Sequence, residues 1–317
     1  MIYIHTKEIH LERRDRKMLS TRFGVEIEFT GLTRNMAARA VEKVIGGCVS
    51  HAGTVYDTYE VHAQDGRVWK VMRDGSINCQ RKESGRTYAA NDLYSCELVT
   101  PILTYEADIE TLQEVIRALR KAGGFANESC GIHIHLDGEG HTVKTVRNFL
   151  NLVYARQDLL YRALAFRPNR IRYCHKVEEE LMTRLQESSP KTMEELENVW
   201  YAGYYGRRDQ HYHQSRYHFI NLHSFFHGHH TIELRGFNGT LHAGEVRSYI
   251  VLALALNHQA LTLKSASTKK PQVENEKFAM RTWLNRIGFI GDEFRACREH
   301  LTKHLSGSAA WRHGRVA

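Results

Sequence analysis

The sequence is poor in proline and has no long apolar run: its 317 residues include only four prolines, beside 23 glycines. No window approaches the roughly 18 uninterrupted apolar residues that a membrane-spanning helix requires. The first 20 residues are rich in charge and contain no apolar segment of the kind found in secretory signals. With 42% hydrophobic and 25% charged residues, the composition excludes a disordered or fibrous chain. We therefore expect a globular protein without a membrane partner.

The six cysteines are scattered, and none forms a Cys-x-x-Cys pair. This spacing argues against a zinc knuckle or a disulfide framework, and it is typical of a reducing compartment. We therefore expect a cytoplasmic protein. The Gly-x-x-x-x-Gly-Lys-Ser/Thr phosphate loop and the kinase glycine-rich loop are also missing, so any bound nucleotide must be held in another way.

The charge balance is basic, with 44 Lys and Arg against 36 Asp and Glu and a net charge of +8. Such a balance favours anionic partners. The basic residues form only short, separate clusters, of which Arg207-Arg208 and Lys269-Lys270 are examples. Because no RNP, KH or zinc-finger motif accompanies them, a nucleic-acid partner has no support from a motif.

Hydrophobic periodicity predicts both strands and helices. Strands are predicted at residues 23–30, 68–72, 94–100, 131–136, 217–223 and 231–237, with a hairpin at 227–228 between the last two. Helices are predicted at residues 35–45, 106–122, 142–166, twice between 178 and 201, and at 244–264, 274–287 and 292–305. Most strands follow one another without a crossover helix, which indicates the α+β class.

Changes in composition along the chain suggest three parts. We expect a charged lead-in at residues 1–21, a main domain at residues 22–267, and a helical extension and tail at residues 268–317. Within the middle part, about 170–216 is an insertion of helices and loop. Its last portion, 201–217, is rich in Tyr, His, Gly and Arg and has no core pattern, so we predict a functional loop there.

The first predicted strand carries Glu26 and Glu28 on one face, while Val25, Ile27 and Phe29 share the other. Two carboxylates this close repel each other unless a cation lies between them. The pattern therefore indicates either an exposed strand face or part of a divalent-cation site.

Three other strands show the same division of faces. Glu97, the pair His133 and His135, and the pair Glu233 and Arg235 each lie opposite an apolar face. Taken together, these groups predict one face of a sheet that binds several cations beside an anion-binding arginine. Oxygen-rich ligands of this kind favour Mg²⁺ or Mn²⁺ over zinc. With Lys70 close by in sequence, the set is typical of a site for a nucleoside triphosphate.

Six short motifs, spread in order over about residues 20–260, resemble the putative amidoligase family of the carboxylate–amine ligase superfamily, which includes glutamine synthetase and glutamate–cysteine ligase. They are Phe23–Phe29, Asp74-Gly75-Ser76, Glu97–Pro101, Gly131–His135, Asn221-Leu222 and Thr231–Thr240. The resemblance implies a curved, mainly antiparallel sheet, a half-barrel like the catalytic domain of glutamine synthetase, with helices on its convex side. It also implies ATP with two or three Mg²⁺ ions and amide formation through an acyl phosphate.

The resemblance further implies roles for individual residues. Glu26, His133 and Glu233 are similar to the ligands of the cation that handles the ATP phosphates, whereas Glu28 and Glu97 are similar to those of the cation nearer the acceptor carboxylate.

The resemblance implies roles near the reacting groups for five more residues. Arg235 resembles the arginine that stabilises the transferred phosphoryl group, and Asp74 a base for the incoming amine. Asn221, Arg216 and His135 are implied contacts of substrate or nucleotide. The partners would be an amine and a carboxylate on an amino acid, a peptide or a protein tail.

Other activities stay open on the sequence alone. The same fold could hydrolyse an amide, or transfer phosphate to a guanidino or carboxylate group, and assays with and without ATP and amine separate these reactions. A third alternative is an inactive basic module that binds peptide or nucleic acid, although the intact Glu-x-Glu, His-x-His and Glu-x-Arg motifs argue against it. A zinc hydrolase built on His133 and His135 is disfavoured, because the remaining candidate ligands are carboxylates.

Overall fold

The computed structural model describes residues 13–311, so the first twelve residues of the predicted lead-in and the last six of the tail lie outside it. Ten strands lie in this part of the chain: Phe23–Phe29 (β1), Cys48–His51 (β2), Tyr59–His62 (β3), Val68–Met72 (β4), Gln80–Glu83 (β5), Arg86–Ala89 (β6), Cys96–Val99 (β7), Gly131–Asp137 (β8), Ile220–Asn221 (β9) and Thr231–Asn238 (β10). Eight of them form one open antiparallel sheet in the order β2-β3-β4-β7-β1-β8-β10-β9, and β5 and β6 form a separate hairpin.

Eleven α-helices are found among the same residues: Arg13–Met18 (α1), Arg34–Ile45 (α2), Tyr105–Lys121 (α3), Val143–Ala163 (α4), Pro168–Ile171 (α5), Glu179–Ser188 (α6), Met193–Tyr201 (α7), His223–His227 (α8), Ala243–Thr262 (α9), Glu276–Arg286 (α10) and Arg295–Thr302 (α11). Strands pair directly with strands while helices gather outside the sheet, which confirms the predicted α+β class with a large antiparallel sheet. Within residues 13–311, no helix combines the length and the apolar character that a bilayer crossing demands.

Helices cover one face of the sheet, which we call the core face. Val25, Ile27 and Phe29 of β1 point to this face and are 1% exposed or less. Helix α2 packs against β3 and β4, and α9 packs against β8, α3 and α4. Helix α9 is apolar around most of its circumference, because sheet and helices surround it and leave almost none of its length to solvent. The opposite side of the sheet, the polar face, carries the charged residues of the same strands.

The extension after residue 267 continues this core. Helices α10 and α11 pack against α4, α9 and each other. Leu284, Phe294 and Leu301 have no exposed side-chain surface and belong to the same hydrophobic cluster as the core face. The predicted boundaries at 21 and 267 therefore separate parts of the chain that share one core, and the division into functional domains stays a prediction.

Two local predictions differ from the structure. The strand expected at 217–223 is limited to Ile220–Asn221, and a short helix stands where a hairpin was expected at 227–228. The Asn221 side chain accepts a hydrogen bond from the His223 amide at 2.8 Å, which satisfies a donor at the start of α8 and begins a helix there. The loop predicted at 201–217 begins where α7 ends, at Tyr201, and includes a short 3-10 turn at Gln214–Arg216. At the start of α7, Thr192 and Glu195 exchange hydrogen bonds in a capping box.

Candidate active site

The polar face is centred on β1, whose neighbours bring further charged groups beside Glu26 and Glu28. In the antiparallel register with β7, Glu28 lies opposite Glu97, and in the register with β8, Glu26 lies opposite His133. Directly opposed residues of an antiparallel pair point to the same face. Local alternation along each strand and the pairing between strands therefore place these side chains in one cluster.

Strand β10 completes the cluster from the other side of β8. Glu233 lies opposite His135, and the register shifts by one residue between Leu234 and Phe237. The β-bulge returns Phe237 to the core face, whereas Arg235 stays on the polar face. An alanine Cβ at Gly236 would lie 2.0 Å from the Phe219 ring, so the bulge can close only around a residue without a side chain.

The imidazoles lie within a few ångströms of the carboxylates. His133 Nδ1 is 2.9 Å from Glu26 Oε2 and 3.8 Å from Glu233 Oε1, and its Nε2 is 3.6 Å from Glu28 Oε1. His135 Nε2 is 3.2 Å from Glu26 Oε1. The groups that the sequence placed on separate strands therefore share one volume.

Arg235 and Asn221 both hold Glu233. The Arg235 guanidinium donates to Glu233 Oε1 at 2.5 Å, and the Asn221 amide donates to Oε2 at 2.6 Å. Glu233 is 2% exposed, so its carboxylate is fixed in orientation before any ligand arrives. Asn221 is also only 2% exposed and contacts Glu233 rather than the open volume, so its predicted contact with substrate or nucleotide stays a prediction.

Glu28 is held by Arg170, a residue that no sequence pattern singled out. Its Oε2 accepts a hydrogen bond from the Gly131 amide at 2.6 Å and lies 3.5 Å from the guanidinium of Arg170, which is 3% exposed. Arg170 also donates to the Arg235 carbonyl at 3.2 Å. An alanine Cβ at position 131 would lie 2.1 Å from the guanidinium nitrogens, so Gly131 makes the room that Arg170 occupies.

The charges in the cluster are only partly balanced. Burial opposes ionisation of Glu26, but His135 and His133 outweigh it and hold the pKa of this carboxyl well below its usual range. Burial likewise opposes ionisation of Glu233, yet Arg235 and the histidines lower its pKa to about 2. Burial also disfavours the charged imidazole of His135, but Glu26 and Glu233 raise its pKa to about 9.

Glu97 shows where positive charge is missing. Burial, together with the nearby carboxylates of Glu26, Glu28 and Asp74, raises the pKa of Glu97 well above its ordinary value. Arg235 acts in the opposite direction but does not compensate for this crowding. A cation beside Glu97 would favour its ionised form by offsetting the neighbouring carboxylates, and this donor set therefore fits a divalent ion.

Three overlapping groups of side chains on the polar face bring their ligand atoms within 4.8 Å of one another. They are Glu26 with His135 and Glu233, Glu26 with Glu97 and His133, and Glu28 with Asp74 and Glu97. Carboxylates supply most of the donors, which suits Mg²⁺ or Mn²⁺. Asp74 accepts hydrogen bonds from the Ser76 amide and hydroxyl on Oδ1, at 2.6 and 2.5 Å.

Two cavities open on the polar face at either side of Glu26. The first, of about 520 Å³, is lined by Glu26 and His135 and by Arg22, Pro101 and Ile102. We call it the Glu26 cavity.

The second, of about 550 Å³, contains Glu28, Glu97 and Asp74, and we call it the Glu28 cavity. Four arginines and four tyrosines also line it: Arg73, Arg170, Arg216, Arg235, Tyr56, Tyr173, Tyr212 and Tyr217.

The predicted functional loop supplies part of the second cavity. His211, Tyr212 and Arg216 line it, and the Tyr212 hydroxyl lies 3.2 Å from the hydroxyl of Tyr56, which comes from the turn after β2. Arg216 places its guanidinium over the Tyr212 ring at 5.3 Å. The loop was identified from its composition, whereas Tyr56 and Tyr173 had no sequence signal beyond their residue type.

Lys70 lies apart from the cluster. It is exposed on β4, opposite Val99, and its ammonium pairs with Glu60 at 3.2 Å. It lines neither of the two cavities. Its predicted contact with the nucleotide stays a prediction.

The model of the family described as "Putative amidoligase enzyme" matches residues 19–257. No curated protein matches the chain. The match spans β1 to α9, and so it includes every strand that contributes to the cluster. The chain belongs to the putative amidoligase family, as the six motifs predicted, and it is accordingly an amide-forming ligase by family.

Proposed function

We propose that the protein is an ATP- and Mg²⁺-dependent carboxylate–amine ligase that forms an amide, of the isopeptide type, through an acyl phosphate. The observation that carries the proposal is the convergence of Glu26, Glu28, Glu97, His133 and Glu233 on one face of the sheet, between two cavities. A ligase must hold a nucleotide and an acceptor acid on opposite sides of the transferred phosphoryl group, and this arrangement supplies two volumes for them.

The Glu26 cavity would hold the nucleotide. It is the cavity that contains His135, and Glu26 lies beside His133 and Glu233, the residues expected to bind the cation of the ATP phosphates. Val99 and Glu26 also line the Glu28 cavity, so the two volumes adjoin at the cluster. The terminal phosphate could therefore reach an acceptor that is bound on the other side.

Magnesium ions on these carboxylates would neutralise the negative charge of two anions that otherwise repel each other. The protein's own side chains would bind and orient the transferred phosphoryl group. Arg235 faces the cluster with its Nε atom buried and without a hydrogen-bond partner among the described residues, which leaves a donor for the transferred phosphoryl group. Its pKa is raised because Glu233 and Glu26 outweigh the effect of burial, so it keeps its charge throughout.

The reaction would proceed in two steps. The acceptor carboxylate oxygen attacks the terminal phosphorus, the bond to the ADP oxygen breaks, and the acyl group acquires phosphate as a leaving group. A neutral amine then attacks the acyl carbon, phosphate departs, and the amine proton passes to a base. Asp74 lies in the Glu28 cavity and is the residue proposed for that base.

The acceptor is proposed to be the carboxylate of an amino acid, a peptide or a protein tail. Arg73 and Arg216 in the Glu28 cavity favour an anionic ligand, and the tyrosines offer flat apolar surface beside it. This chemistry, together with the net charge of +8, gives acidic acceptors the better fit.

The test is to incubate the protein with Mg-ATP, a panel of amino acids and acidic peptides, and a mixture of amines, and to analyse the products by mass spectrometry. We expect one amide and one ADP per turnover, and with hydroxylamine as the amine we expect the hydroxamate of the acceptor acid. Isotopic oxygen in the acceptor carboxylate should pass to the released phosphate, because an acyl phosphate carries that oxygen on phosphorus.

The matched variants are Glu233→Gln, within the cluster, and Glu83→Gln, on the exposed β5 strand. The first should lose at least about 100-fold in turnover, on the scale of removing one preorganised charged group, while keeping its fold. The second should behave as the wild type. Amide breakdown without ATP would indicate a hydrolase instead, a stable phosphorylated product without amide would indicate a phosphotransferase, and a failure to bind Mg-ATP would indicate an inactive binding module.

A second pair of measurements examines Asp74. Asp74→Asn should retain Mg-ATP binding and lose amide formation if the carboxylate accepts the amine proton. If the variant instead loses a bound cation, as measured by Mn²⁺ paramagnetic resonance, Asp74 is a ligand together with Glu28 and Glu97 rather than the base.

A further inference from the structure

A second cluster of ligand-type side chains lies outside the polar face. It joins the beginning of α9, which supplies His242 and Glu245, to α11, which supplies His300. One ligand atom of each residue lies within 4.8 Å of the ligand atoms of the other two. His300 lies beyond residue 257, where the family match ends, so this cluster combines the matched region with the extension.

The geometry of the cluster depends on Gly244. The rings of His242 and His300 have their centroids 5.0 Å apart with an interplanar angle of 64°, so they meet at an angle rather than in a stack. An alanine Cβ at position 244 would lie 2.8 Å from His300 Nε2 and 3.4 Å from His242 Nδ1. His300 Nε2 and the Cε1–Nδ1 edge of His242, whose Cε1 would lie 3.2 Å from that Cβ, therefore face the same small space above Gly244.

Two of the three side chains already make contacts that a bound cation would have to replace. His242 Nδ1 accepts the Glu245 amide hydrogen in a long bond of 3.2 Å, which caps α9. The Glu245 carboxylate pairs with Lys303, whose side chain is 40% exposed. A divalent cation that binds Glu245 directly carries twice the charge of the Lys303 ammonium and would take its place beside the carboxylate.

We propose that His242, Glu245 and His300 form a zinc-binding site that ties α11 to the start of α9. Two imidazoles and one carboxylate are zinc ligands, and they leave a fourth position for water. The donors of the polar face differ from this set, because carboxylates predominate there and suit magnesium. The bound ion would also fix residues 239–242, the segment that connects β10 to α9.

The experiment counts zinc on the tag-free full chain. The protein is stripped with a chelator, dialysed against micromolar zinc in the presence of millimolar magnesium, and analysed for metal content. The wild type should retain one equivalent more than His300→Ala. Gly244→Ala, whose added Cβ occupies the space between the ring nitrogens, should lose the same equivalent.

The matched control is His62→Ala, since His62 is an exposed histidine on β3, far from this cluster in sequence. It should bind as much zinc as the wild type. Anomalous diffraction at the zinc edge should place a peak between His242 and His300, which separates this site from zinc bound to the polar face. Equal zinc content in the wild type and His300→Ala, or a peak only on the polar face, would overturn the proposal, and neither result depends on ligase activity.

Discussion

The two faces of the sheet are built from the same strands but are held in place by different forces. On the core face, Ile27 and Leu98 lie opposite each other with no exposed surface, and their burial is favourable for both. On the polar face, Glu28 and Glu97 lie opposite each other in the same pair of strands, and burial together with repulsion from nearby carboxylates raises the pKa of Glu97. One face therefore stabilises the sheet, and the other uses that stability to hold like charges together for a ligand.

The largest difference in the free energy of unfolding is expected between two substitutions at adjacent residues of β7, one on each face of the sheet. Leu98→Ala should lower the free energy of unfolding by about 2–5 kcal/mol, because it removes fully buried methyl groups and leaves a cavity. Glu97→Gln should leave that free energy unchanged or raised, since its carboxyl is already disfavoured as an anion. Urea unfolding of both variants in a chelator measures the difference.

The control for this pair of variants is to repeat the urea unfolding with magnesium added. Added Mg²⁺ should stabilise the wild type and Leu98→Ala by similar amounts and should stabilise Glu97→Gln less. If Glu97→Gln proves as destabilising as Leu98→Ala in the chelator, the polar face contributes to folding in the same way as the core face, and the contrast between them fails.

The next largest loss of unfolding free energy is expected at Gly131, which packs closely against the buried Arg170 guanidinium. Gly131→Ala should cost about 1–3 kcal/mol of unfolding free energy, since its Cβ would overlap the buried Arg170 guanidinium. In the double variant Gly131→Ala/Arg170→Ala the overlap is absent. Its loss of unfolding free energy should therefore be smaller than the sum of the losses measured in the two single variants. Additive costs would show that Gly131 serves another purpose than making room for Arg170.

A pH effect is expected from the histidines that hold the functional loop. His223 is 6% exposed, accepts or donates a hydrogen bond with Tyr201 at 2.6 Å, and stacks on His213 with ring centroids 5.4 Å apart. Burial, followed by His213, lowers the pKa of His223 to about 4. The pKa of His223 in the folded protein lies below its ordinary value of 6.5. The contribution of neutral His223 to the free energy of unfolding is therefore fully present above pH 6.5 and is lost as the pH falls towards 4.

Between pH 6.5 and 4, His223 should lower the free energy of unfolding by up to about 1.4 kcal/mol for each pH unit. Urea unfolding of the wild type and His223→Gln between pH 7 and 4 gives the slope for each protein, and the variant should show the smaller slope. His62→Gln is the matched control, because it replaces an exposed histidine of β3 by the same residue. Identical slopes in the wild type and His223→Gln would show that His223 is not held neutral by the fold.

The smallest effect is expected at the capping box of α7. Thr192→Ala should cost about 1 kcal/mol, because the Glu195 amide loses its side-chain acceptor. Thr183→Ala on the exposed face of α6 is a suitable control, since its hydroxyl only bonds back to the Glu179 carbonyl. A loss of more than about 2 kcal/mol of unfolding free energy in Thr192→Ala would mean that the cap also stabilises parts of the protein outside α7.

The sequence predicted the elements with strong periodicity and missed those without it. Strands β1, β4 and β8 were located within one residue of their bounds, since buried and polar positions alternate along them. Strands β2 and β3 were missed: they are short, and most of their residues are partly or fully exposed. The short helix α8 was also missed, because it begins on a side-chain hydrogen bond from the His223 amide to Asn221 rather than on an apolar pattern.

The sequence by itself determined which residues share the polar face, because alternation in a strand is a local property: Glu26 and Glu28, or His133 and His135, must point the same way. Only the tertiary structure decided which strands are neighbours, and so that Glu28 meets Glu97 while Arg170 lies behind Gly131. Such contacts join residues more than 30 positions apart. No local spacing encodes them, since they depend on how the whole core packs and sets the order of the strands.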